Sequence, residues 1–313
     1  MPSAAADPAA RSFVSKTHHD TYDFIKPRKI HQGSRRVLIS GASKGIGQAI
    51  AVAYARAGYS HIALLARSSV ADTVASAKKA AELEGHAPPQ FLELIADLSS
   101  RADIDAAALE TATAFGSLDI LVNNAGYLEN WTPIVDSDPD VWWKTWEVNV
   151  RGTYLMNRAF VPLLLKGHEK TTIAVTSVGA WVTMSGGSAY QGTKTAQVRM
   201  NSHLTAEYGD QGLLAYAVHP GNVKTNLAFG MPDYMHQTLQ DEPGMAADTI
   251  VWLTQERRLW YVLSLNHELM EPSDLTYHRL ADRYISCVWD MEELLARKEK
   301  VVAEDLLKLT VSR

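Results

Sequence analysis

The sequence is poor in cysteine and has no long run of one charge. Only Cys287 carries a thiol among 313 residues, which excludes an intrachain disulfide framework and a zinc site built from several cysteines. Lys and Arg number 30 against 35 Asp and Glu, a formal charge of −5. This acidic balance argues against nucleic acid as a partner and against binding to anionic membranes. No metal site is predicted.

Long apolar stretches are also missing. No run approaches the roughly 18 apolar residues of a membrane-spanning helix, and residues 1–10 lack the basic and then apolar segments of a secretion signal. Apolar residues make up 46% and charged residues 21% of the chain, the proportions of a folded globular protein. We therefore expect a soluble, cytoplasmic protein with no membrane partner.

Short apolar runs alternate with helical segments from residue 36 onward. Val37–Ile39 predicts a buried strand, and the alanine-rich segment Ile46–Ala57 predicts a helix that ends before Gly58. The alternation continues past residue 220 without a linker, through long predicted helices at Val141–Leu165 and Ala189–Tyr208. Such an order predicts a single α/β domain of Rossmann type, a doubly wound parallel sheet with helices on both faces. The predicted boundaries are an N-terminal arm at 1–34, the domain at 35–290 and a C-terminal tail at 291–313.

A glycine-rich turn follows the first predicted strand. It reads Gly41-Ala42-Ser43-Lys44-Gly45-Ile46-Gly47, and its glycines allow a sharp turn and a close approach of backbone to a phosphate. The N–H groups and the positive end of the following helix then face a pyrophosphate. The spacing is G-x-x-x-G-x-G, and a tight turn without a ligand is the alternative interpretation. The strand before it and the helix after it favour dinucleotide binding.

The residues after the second predicted strand, Ile62–Leu65, bear on the choice of cofactor. Dinucleotide sites often carry a carboxylate there to bind the ribose 2′-hydroxyl, but this chain has Ala66-Arg67-Ser68. Arg67 and Lys44 suit a 2′-phosphate, because guanidinium and ammonium groups donate to phosphate oxygens. The sequence therefore predicts NADP(H) rather than NAD(H). The alternative interpretation is that Arg67 and Lys44 are solvated surface charges that bind no phosphate.

Tyr190 and Lys194 lie at i and i+4 of a predicted helix, so their side chains share one face. A free phenol has a pKa near ~10 and is a poor base at pH 7. A neighbouring ammonium group stabilises the phenolate, so we expect Lys194 to lower the pKa of Tyr190. A Tyr and a Lys at this spacing often occur by chance, but Ser177 follows a predicted strand nearby in sequence.

Taken in order, these motifs resemble those of the classical short-chain dehydrogenase/reductase (SDR) family, and its fungal members in particular. The resemblance spans roughly residues 36–258. It rests on the glycine turn, Asp97, Asn123-Asn124-Ala125-Gly126, Asn149, Ser177, Tyr190 with Lys194, and Pro220-Gly221-Asn222-Val223-Lys224-Thr225.

The resemblance implies a catalytic tetrad and a nicotinamide cofactor. Tyr190 would be the general acid or base, Ser177 would polarise the substrate oxygen, Lys194 would hold the cofactor ribose, and Asn149 would position a water in a proton relay. Cofactor contacts are implied for Gly41, Ser43, Lys44, Gly45, Ile46, Gly47, Arg67, Asp97, Asn124, Ala125, Gly126, Tyr190, Lys194, Pro220, Gly221, Val223 and Thr225. It also implies hydride transfer to or from a small-molecule ketone or secondary alcohol, a role in secondary metabolism, and a homodimer or homotetramer.

The substrate side is less specific. The segment 226–243 is rich in Met and aromatic residues, and the resemblance places it as a lid, which favours a fairly apolar substrate. Trp131, Trp181 and Met184 are further candidates for the pocket, with packing in the core as the alternative. A non-redox use of the fold, as an isomerase or as a cofactor-dependent binding protein, remains open.

A segment before the last predicted strand departs from the family pattern. Residues 261–279 make 19 extra residues, and we hypothesise that they are a translated intron. Trp260-Tyr261-Val262 must be encoded TGG-TAY-GTN, which contains the donor-like GTAYGT. Tyr277-His278-Arg279 permits an acceptor-like CAYAG. A genuine loop is the alternative.

Overall fold

Seven parallel strands form one sheet in the order β3-β2-β1-β4-β5-β6-β7. The structure, a computed structural model, describes residues 13–27, 34–255 and 281–309. The strands are β1 (Arg36–Ser40), β2 (His61–Ala66), β3 (Gln90–Ile95), β4 (Ile120–Asn123), β5 (Thr171–Val175), β6 (Leu214–His219) and β7 (Tyr284–Ser286). This architecture confirms the predicted Rossmann-type α/β fold in a single domain.

Helices connect the strands and cover both faces of the sheet. They are α1 (Gly45–Arg56), α2 (Ala71–Leu83), α3 (Arg101–Phe115), α4 (Pro139–Trp146), α5 (Thr153–Leu164), α6 (Ser188–Tyr208), α7 (Asp233–His236), α8 (Pro243–Thr254), α9 (Met291–Ala296) and α10 (Lys298–Ala303). Because β1 and β4 are neighbours while β2 and β3 lie on the other side of β1, the strand order reverses beside β1. In open α/β sheets, ligands bind at such a point, at the carboxyl edge of the strands.

β1 shows why the strands are continuous apolar runs. Successive side chains of a strand point to opposite faces. Val37 and Ile39 join the core that contains Ile50 of α1, whereas Leu38 joins the core that contains Phe160 of α5. All three strand residues are fully buried, and burying such a side chain stabilises the fold by roughly 1.5–3 kcal/mol. Both faces of the sheet therefore need apolar residues.

The segment predicted as one helix, Val141–Leu165, is divided into three parts. α4 ends at Trp146, residues Glu147–Gly152 form a π-helix, and α5 begins at Thr153. The predicted long helical stretch is present, but its middle is a π-helix and not an α-helix. A π-turn inserts one residue into the helix without changing its apolar character, so apolar periodicity does not detect it. Asn149 lies inside the π-helix.

The described residues before 34 and after 290 pack against the sheet domain. Phe13 and Ile25 are buried in the same core as β1, and the Phe13 and Trp289 ring centroids are 5.7 Å apart. The backbone N–H of Ser15 donates to the Glu293 carboxylate at 2.9 Å. We call residues 13–27 the N-terminal arm. The boundaries at 34 and 290 stay a prediction, and the suspected insertion at 261–279 lies outside the described residues.

Candidate active site

The glycine-rich turn joins β1 to α1 at the carboxyl edge of the sheet. Gly41 and Gly45 have φ of +67° and +60°, a region that strains residues with a Cβ atom. A Cβ on Gly47 would lie 2.2 Å from the carbonyl oxygen of Gly41, so only glycine lets α1 start this close to the turn. Lys44 is the N-cap of α1 and contributes no side-chain cap, which leaves first-turn N–H groups available to an anion.

The end of β4 holds this turn in place. The Asn124 side-chain amide donates to the carbonyl oxygens of Ser40 and Gly41 at 3.0 Å and 3.2 Å. The Ser40 hydroxyl in turn accepts the N–H groups of Asn124 and Ala125 at 3.1 Å and 3.2 Å. A Cβ on Gly41 would lie 2.8 Å from the Ala125 Cα. Asn124 and Ala125, predicted as cofactor residues, thus determine the shape of the glycine turn.

The loop after β6, residues 220–225, reaches the same turn. The Thr225 Cγ2 lies 3.4 Å from the place of a Cβ on Gly45. Asp241 supports this loop, because its carboxylate accepts the N–H of Asn222 and contacts His19 of the N-terminal arm at 2.6 Å. The predicted residue Val223 is 3% exposed and forms a β-bridge with Asp241. We call residues 220–225 the cofactor loop.

Arg67 and Asp97 lie at the carboxyl ends of β2 and β3. The Arg67 Nη1 is 3.9 Å from the Asp97 Oδ2, and the Arg67 side chain is 69% exposed. A hydrogen bond from the Ser99 hydroxyl lowers the pKa of Asp97, and the Arg67 guanidinium lowers it further. Lys44 is exposed in the glycine turn. These three charged groups therefore lie on the edge of the sheet where the sequence predicted the ribose end of a dinucleotide.

The structure brings the four predicted catalytic residues together. Ser177 lies near enough to the Tyr190 hydroxyl to act on its pKa, and the Lys194 Nζ is 5.4 Å from the centroid of the Tyr190 ring. A Cβ on Gly126 would lie 3.4 Å from the Asn149 Oδ1 and 3.9 Å from the Lys194 Nζ. The tetrad is thus assembled beside Gly126, next to the glycine turn.

Burial shifts the pKa values of Tyr190 and Lys194 in opposite directions. It raises the pKa of Tyr190 to about 12, although Ser177 acts to lower it. It also lowers the pKa of Lys194 to about 8. We expected Lys194 to lower the pKa of Tyr190, and the net direction was wrong. Loss of solvent disfavours the phenolate more strongly than the neighbouring groups favour it.

The Asn149 side chain is fully buried and braces the loop after β4. Its Oδ1 accepts the N–H of Tyr127 at 2.7 Å, and its Nδ2 donates to the Tyr127 carbonyl oxygen at 2.8 Å. The Nδ2 also donates to the Thr193 hydroxyl at 3.1 Å, which ties the π-helix to α6. The side-chain amide of Asn149 therefore has a positioning role in this structure.

Sequence reasoning missed three residues that support the tetrad. The buried Glu129 carboxylate accepts the Tyr190 N–H at 2.9 Å and the Thr145 hydroxyl at 3.0 Å. The His219 Nδ1 accepts the N–H of Val178, beside Ser177, at 3.2 Å, and burial lowers the pKa of His219 to about 4, so the ring is neutral at pH 7. Gln197 contacts Lys194 at 3.1 Å. None of them belongs to a periodic pattern or a motif, so no signal in the sequence marked them.

The predicted lid residues have different environments. Leu227 approaches the tetrad, with its Cδ1 4.0 Å from the place of a Cβ on Gly126. Phe229 and Tyr234 are 54% and 62% exposed, whereas Leu239 is buried. Among the pocket candidates, Trp131 packs on Gly186 and Gly187, Trp181 packs edge-on against Tyr284, and the Met184 N–H donates to Gln191. A substrate pocket built from these residues stays a prediction.

Membrane-spanning helices and clustered metal ligands are both absent from the described residues. Within residues 13–27, 34–255 and 281–309, no helix is long and apolar enough to cross a membrane. The same ranges contain no group of three or more His, Cys, Asp or Glu residues arranged to hold a metal ion.

Comparisons with known proteins agree with this geometry. The family model of the short chain dehydrogenases matches residues 35–233. The short chain dehydrogenase mpl6 of Monascus purpureus is 47% identical over 301 residues, which are 96% of this chain and 97% of the relative. The short chain dehydrogenase andI of Emericella variicolor is 36% identical over the same shares of both chains. This chain therefore belongs to the short-chain dehydrogenase family, and it is similar to fungal members.

Solved structures match as well. A 3-ketoacyl-ACP reductase from Sinorhizobium meliloti 1021 superposes with a TM-score of 0.60 at 30% identity, covering 71% of this chain and 92% of that one. A 3-ketoacyl-(acyl-carrier-protein) reductase from Brucella melitensis, complexed with NADH, has a TM-score of 0.60 at 27% identity, covering 70% of this chain and 90% of that one. Members of the family are oxidoreductases that use a nicotinamide cofactor, and the chain is an oxidoreductase of this class.

Proposed function

We propose that the chain is an NADP(H)-dependent oxidoreductase of secondary metabolism. It would transfer a hydride between the nicotinamide and a ketone or secondary alcohol of a fairly apolar small molecule. The observation that carries this proposal is the Tyr190 hydroxyl. It lies near Ser177, which acts to lower its pKa, and beside the buried Lys194, whose Nζ is 5.4 Å from the centroid of the ring.

The residues at the carboxyl edge fit a dinucleotide. Glycine at position 47 lets the start of α1 pack directly against the glycine turn, and the first turn of α1 has N–H groups suited to a pyrophosphate. Asp97, Asn124, Ala125 and Gly126 would line the adenosine side. The Lys194 Nζ would donate to a ribose hydroxyl, and the cofactor loop would hold the nicotinamide amide. When bound, the nicotinamide supplies or accepts the hydride.

Tyr190 would supply the proton in the reduction of a ketone. With a pKa near 12 the phenol is protonated at neutral pH, so its O–H can donate to the substrate oxygen as negative charge develops there. The Ser177 hydroxyl would donate a second hydrogen bond to the same oxygen. The Lys194 ammonium group would stabilise the phenolate that remains. In alcohol oxidation the same groups would act in reverse, with Tyr190 as the base.

Arg67 and Lys44 support NADP(H) over NAD(H). Their charges lie near the predicted ribose position, and an exposed guanidinium suits a 2′-phosphate. The relatives support both cofactors, since the Brucella structure holds NADH and an alcohol dehydrogenase from Thermococcus sibiricus, 26% identical, holds 5-hydroxy-NADP.

The ratio of kcat/KM with NADPH and NADH tests the assignment. Arg67→Ala should lower this ratio by about tenfold, the effect of losing roughly 1.4 kcal/mol, whereas the exposed Arg101→Ala should not. A preference of the unaltered enzyme for NADH would contradict it.

The function itself is tested by the loss of NADPH absorbance with a panel of apolar ketones. Turnover of at least one ketone is the expected result. The alternative, a non-redox isomerase or a cofactor-dependent binding protein, would show tight NADPH binding without turnover of any ketone or secondary alcohol.

Light scattering tests the proposed homodimer or homotetramer, for which isologous contacts through α4–α5 and α6 are expected. The cytoplasmic location stays a prediction.

A further inference from the structure

Gln197 lies between two members of the catalytic tetrad. It follows Lys194 by three positions on α6 and is 1% exposed. Its Oε1 accepts a hydrogen bond from the Lys194 Nζ at 3.1 Å. Its Nε2 donates to the main-chain carbonyl oxygen of Asn149 at 2.8 Å and to the Thr153 hydroxyl at 3.0 Å. One buried carboxamide of α6 thus joins the Lys194 ammonium group to the π-helix.

The orientation of this carboxamide follows from its partners. An ammonium group only donates hydrogen bonds, and a carbonyl oxygen only accepts them. The oxygen of Gln197 must therefore face Lys194, and its nitrogen must face Asn149. In the reverse orientation the Gln197 NH₂ group would face the Lys194 ammonium group, donor against donor, and its oxygen would face the Asn149 carbonyl oxygen, acceptor against acceptor. Unpaired polar groups are costly at a buried position.

The Asn149 carbonyl has its acceptor capacity filled by the protein. It accepts the hydrogen bond from Gln197 and a second from the Thr153 hydroxyl at 2.7 Å, and a carbonyl oxygen has two lone pairs. The Lys194 Nζ donates to the Val175 carbonyl oxygen at 2.8 Å as well as to Gln197. With three hydrogens on the ammonium group, one remains for the side of the site that faces Gly126.

We propose that Gln197 is a positioning residue, which bridges the Lys194 ammonium group to the main-chain carbonyl of Asn149 and so sets the position and charge state of Lys194. Its role in turnover rests on the proposed oxidoreductase function. A carboxamide does not ionise at neutral pH, so the bridge holds Lys194 without passing its protons to Asn149. The third hydrogen of the ammonium group is then the one that serves the cofactor ribose.

The surroundings of Lys194 make its charge sensitive to position 197. Both of its described acceptors are neutral, and burial lowers its pKa to about 8 without a compensating charged partner. The titratable groups nearby are Tyr190 on the same helix and Glu129, which lies beyond Tyr190 in the loop after β4 and contacts its N–H. The π-helix and β5 present carbonyl groups. A charge introduced at position 197 would therefore act directly on the ammonium group.

The test measures the titration of Lys194 in the cofactor-free protein. Lysine labelled with ¹³C at Cε is followed by NMR against pH, and the Lys194→Met variant identifies the resonance. The expected midpoint of the unaltered protein is about 8. Gln197→Glu, which is nearly isosteric, should raise the midpoint by about one pH unit or more, because a carboxylate stabilises the ammonium form. Gln197→Met should lower it, because the acceptor is lost.

Gln211→Glu is the matched control. It adds the same charge at an exposed position beyond the far end of α6, and the Lys194 midpoint should not move. In turnover, the alkaline limb of kcat/KM against pH should shift with the midpoint in the Gln197 variants. Equal midpoints in Gln197→Glu and the unaltered protein would overturn the proposal, whether or not Gln197→Met folds. Shifted midpoints in a protein that reduces no ketone would refute the proposed function and leave this inference standing.

Discussion

Tyr190 and Lys194 each lose solvent in the folded protein, and this loss disfavours the charged form of both. The pKa of the phenol rises to about 12 while the pKa of the ammonium group falls to about 8. The phenol is therefore protonated at neutral pH and holds its proton more tightly than a free phenol does. Proton release becomes favourable only when an acceptor, such as the oxygen of a reduced substrate, develops charge within hydrogen-bond distance.

Replacing Tyr190 with Phe removes this proton donor and leaves the ring in place. Turnover should fall by about 10²–10⁴, the usual contribution of a positioned acid or base, while NADPH affinity measured by fluorescence should stay unchanged. Tyr208→Phe, at the other end of α6, is the control and should keep full activity. If Tyr190→Phe also kept its activity, Tyr190 would not be the general acid.

At the scale of elements, the N-terminal arm and the cofactor loop share one carboxylate. Asp241 accepts the Asn222 N–H on one side and contacts His19 on the other. The carboxylate is 4% exposed, and a Cβ on Gly221 would lie 2.6 Å from its Oδ2. The loop that would hold the nicotinamide is therefore positioned by a residue 19 positions later, which in turn contacts the arm.

Asp241→Ala should leave the Asn222 N–H without its acceptor and release the loop. We expect the free energy of unfolding in urea to fall by roughly 1–3 kcal/mol, and NADPH to bind more weakly. Asp233→Ala, on α7, removes a carboxylate whose side chain is fully exposed and should change neither quantity. Equal stability and affinity in Asp241→Ala would show that the loop keeps its shape without this contact.

A second contact of the arm gives a prediction for acid pH. Asp290 caps α9 by accepting the Glu293 N–H, and it also contacts His18 and Lys16. Burial by itself raises the pKa of Asp290, but the hydrogen bonds from His18, the Glu293 N–H and Lys16 together lower it to about 2. Because the unfolded value is higher, near 3.8, this carboxylate stabilises the fold above that pH, and the contribution is lost as the pH falls toward 2.

Asp290→Asn should therefore flatten the dependence of stability on pH in this window. The free energy of unfolding, measured in urea between pH 2 and pH 6, should fall less steeply than in the unaltered protein. At pH 6 the variant should be less stable by roughly 1.5–3 kcal/mol, the range for hydrogen bonds to a charged group. The exposed Asp72→Asn is the control. An unchanged slope in Asp290→Asn would assign the acid sensitivity to other carboxylates.

The elements that could be predicted are those in which local pattern and environment agree. β1 is an apolar run because it is buried on both faces, and the glycine turn is recognisable because backbone geometry requires glycine there. The π-helix at Asn149 was missed because it changes hydrogen bonding and not the apolar pattern. Gln197 and Glu129 were missed because their partners are distant in sequence, and a polar residue in a helix or loop does not by itself reveal burial.

At the scale of the whole molecule, the length of the chain depends on residues 261–279. If these 19 residues are a translated intron, at three nucleotides each the dominant transcript should lack 57 nucleotides. Trp260 would then directly precede Leu280. Sequencing the messenger RNA checks this expectation. A dominant transcript that retains the segment would defeat the intron hypothesis and establish a genuine loop.

The docking of the arm has a consequence for the order in which the enzyme is completed during synthesis. His18 and Ser15 leave the ribosome early, but their partners Asp290 and Glu293 are 272 and 278 residues later in the chain. The arm can reach its final position only after these partners have emerged, by which time β1 to β6 have already left the ribosome. The contact between His19 and Asp241 that supports the cofactor loop belongs to this docked arm. A newly made chain would thus acquire a supported nicotinamide site only after β1 to β6 have been synthesised.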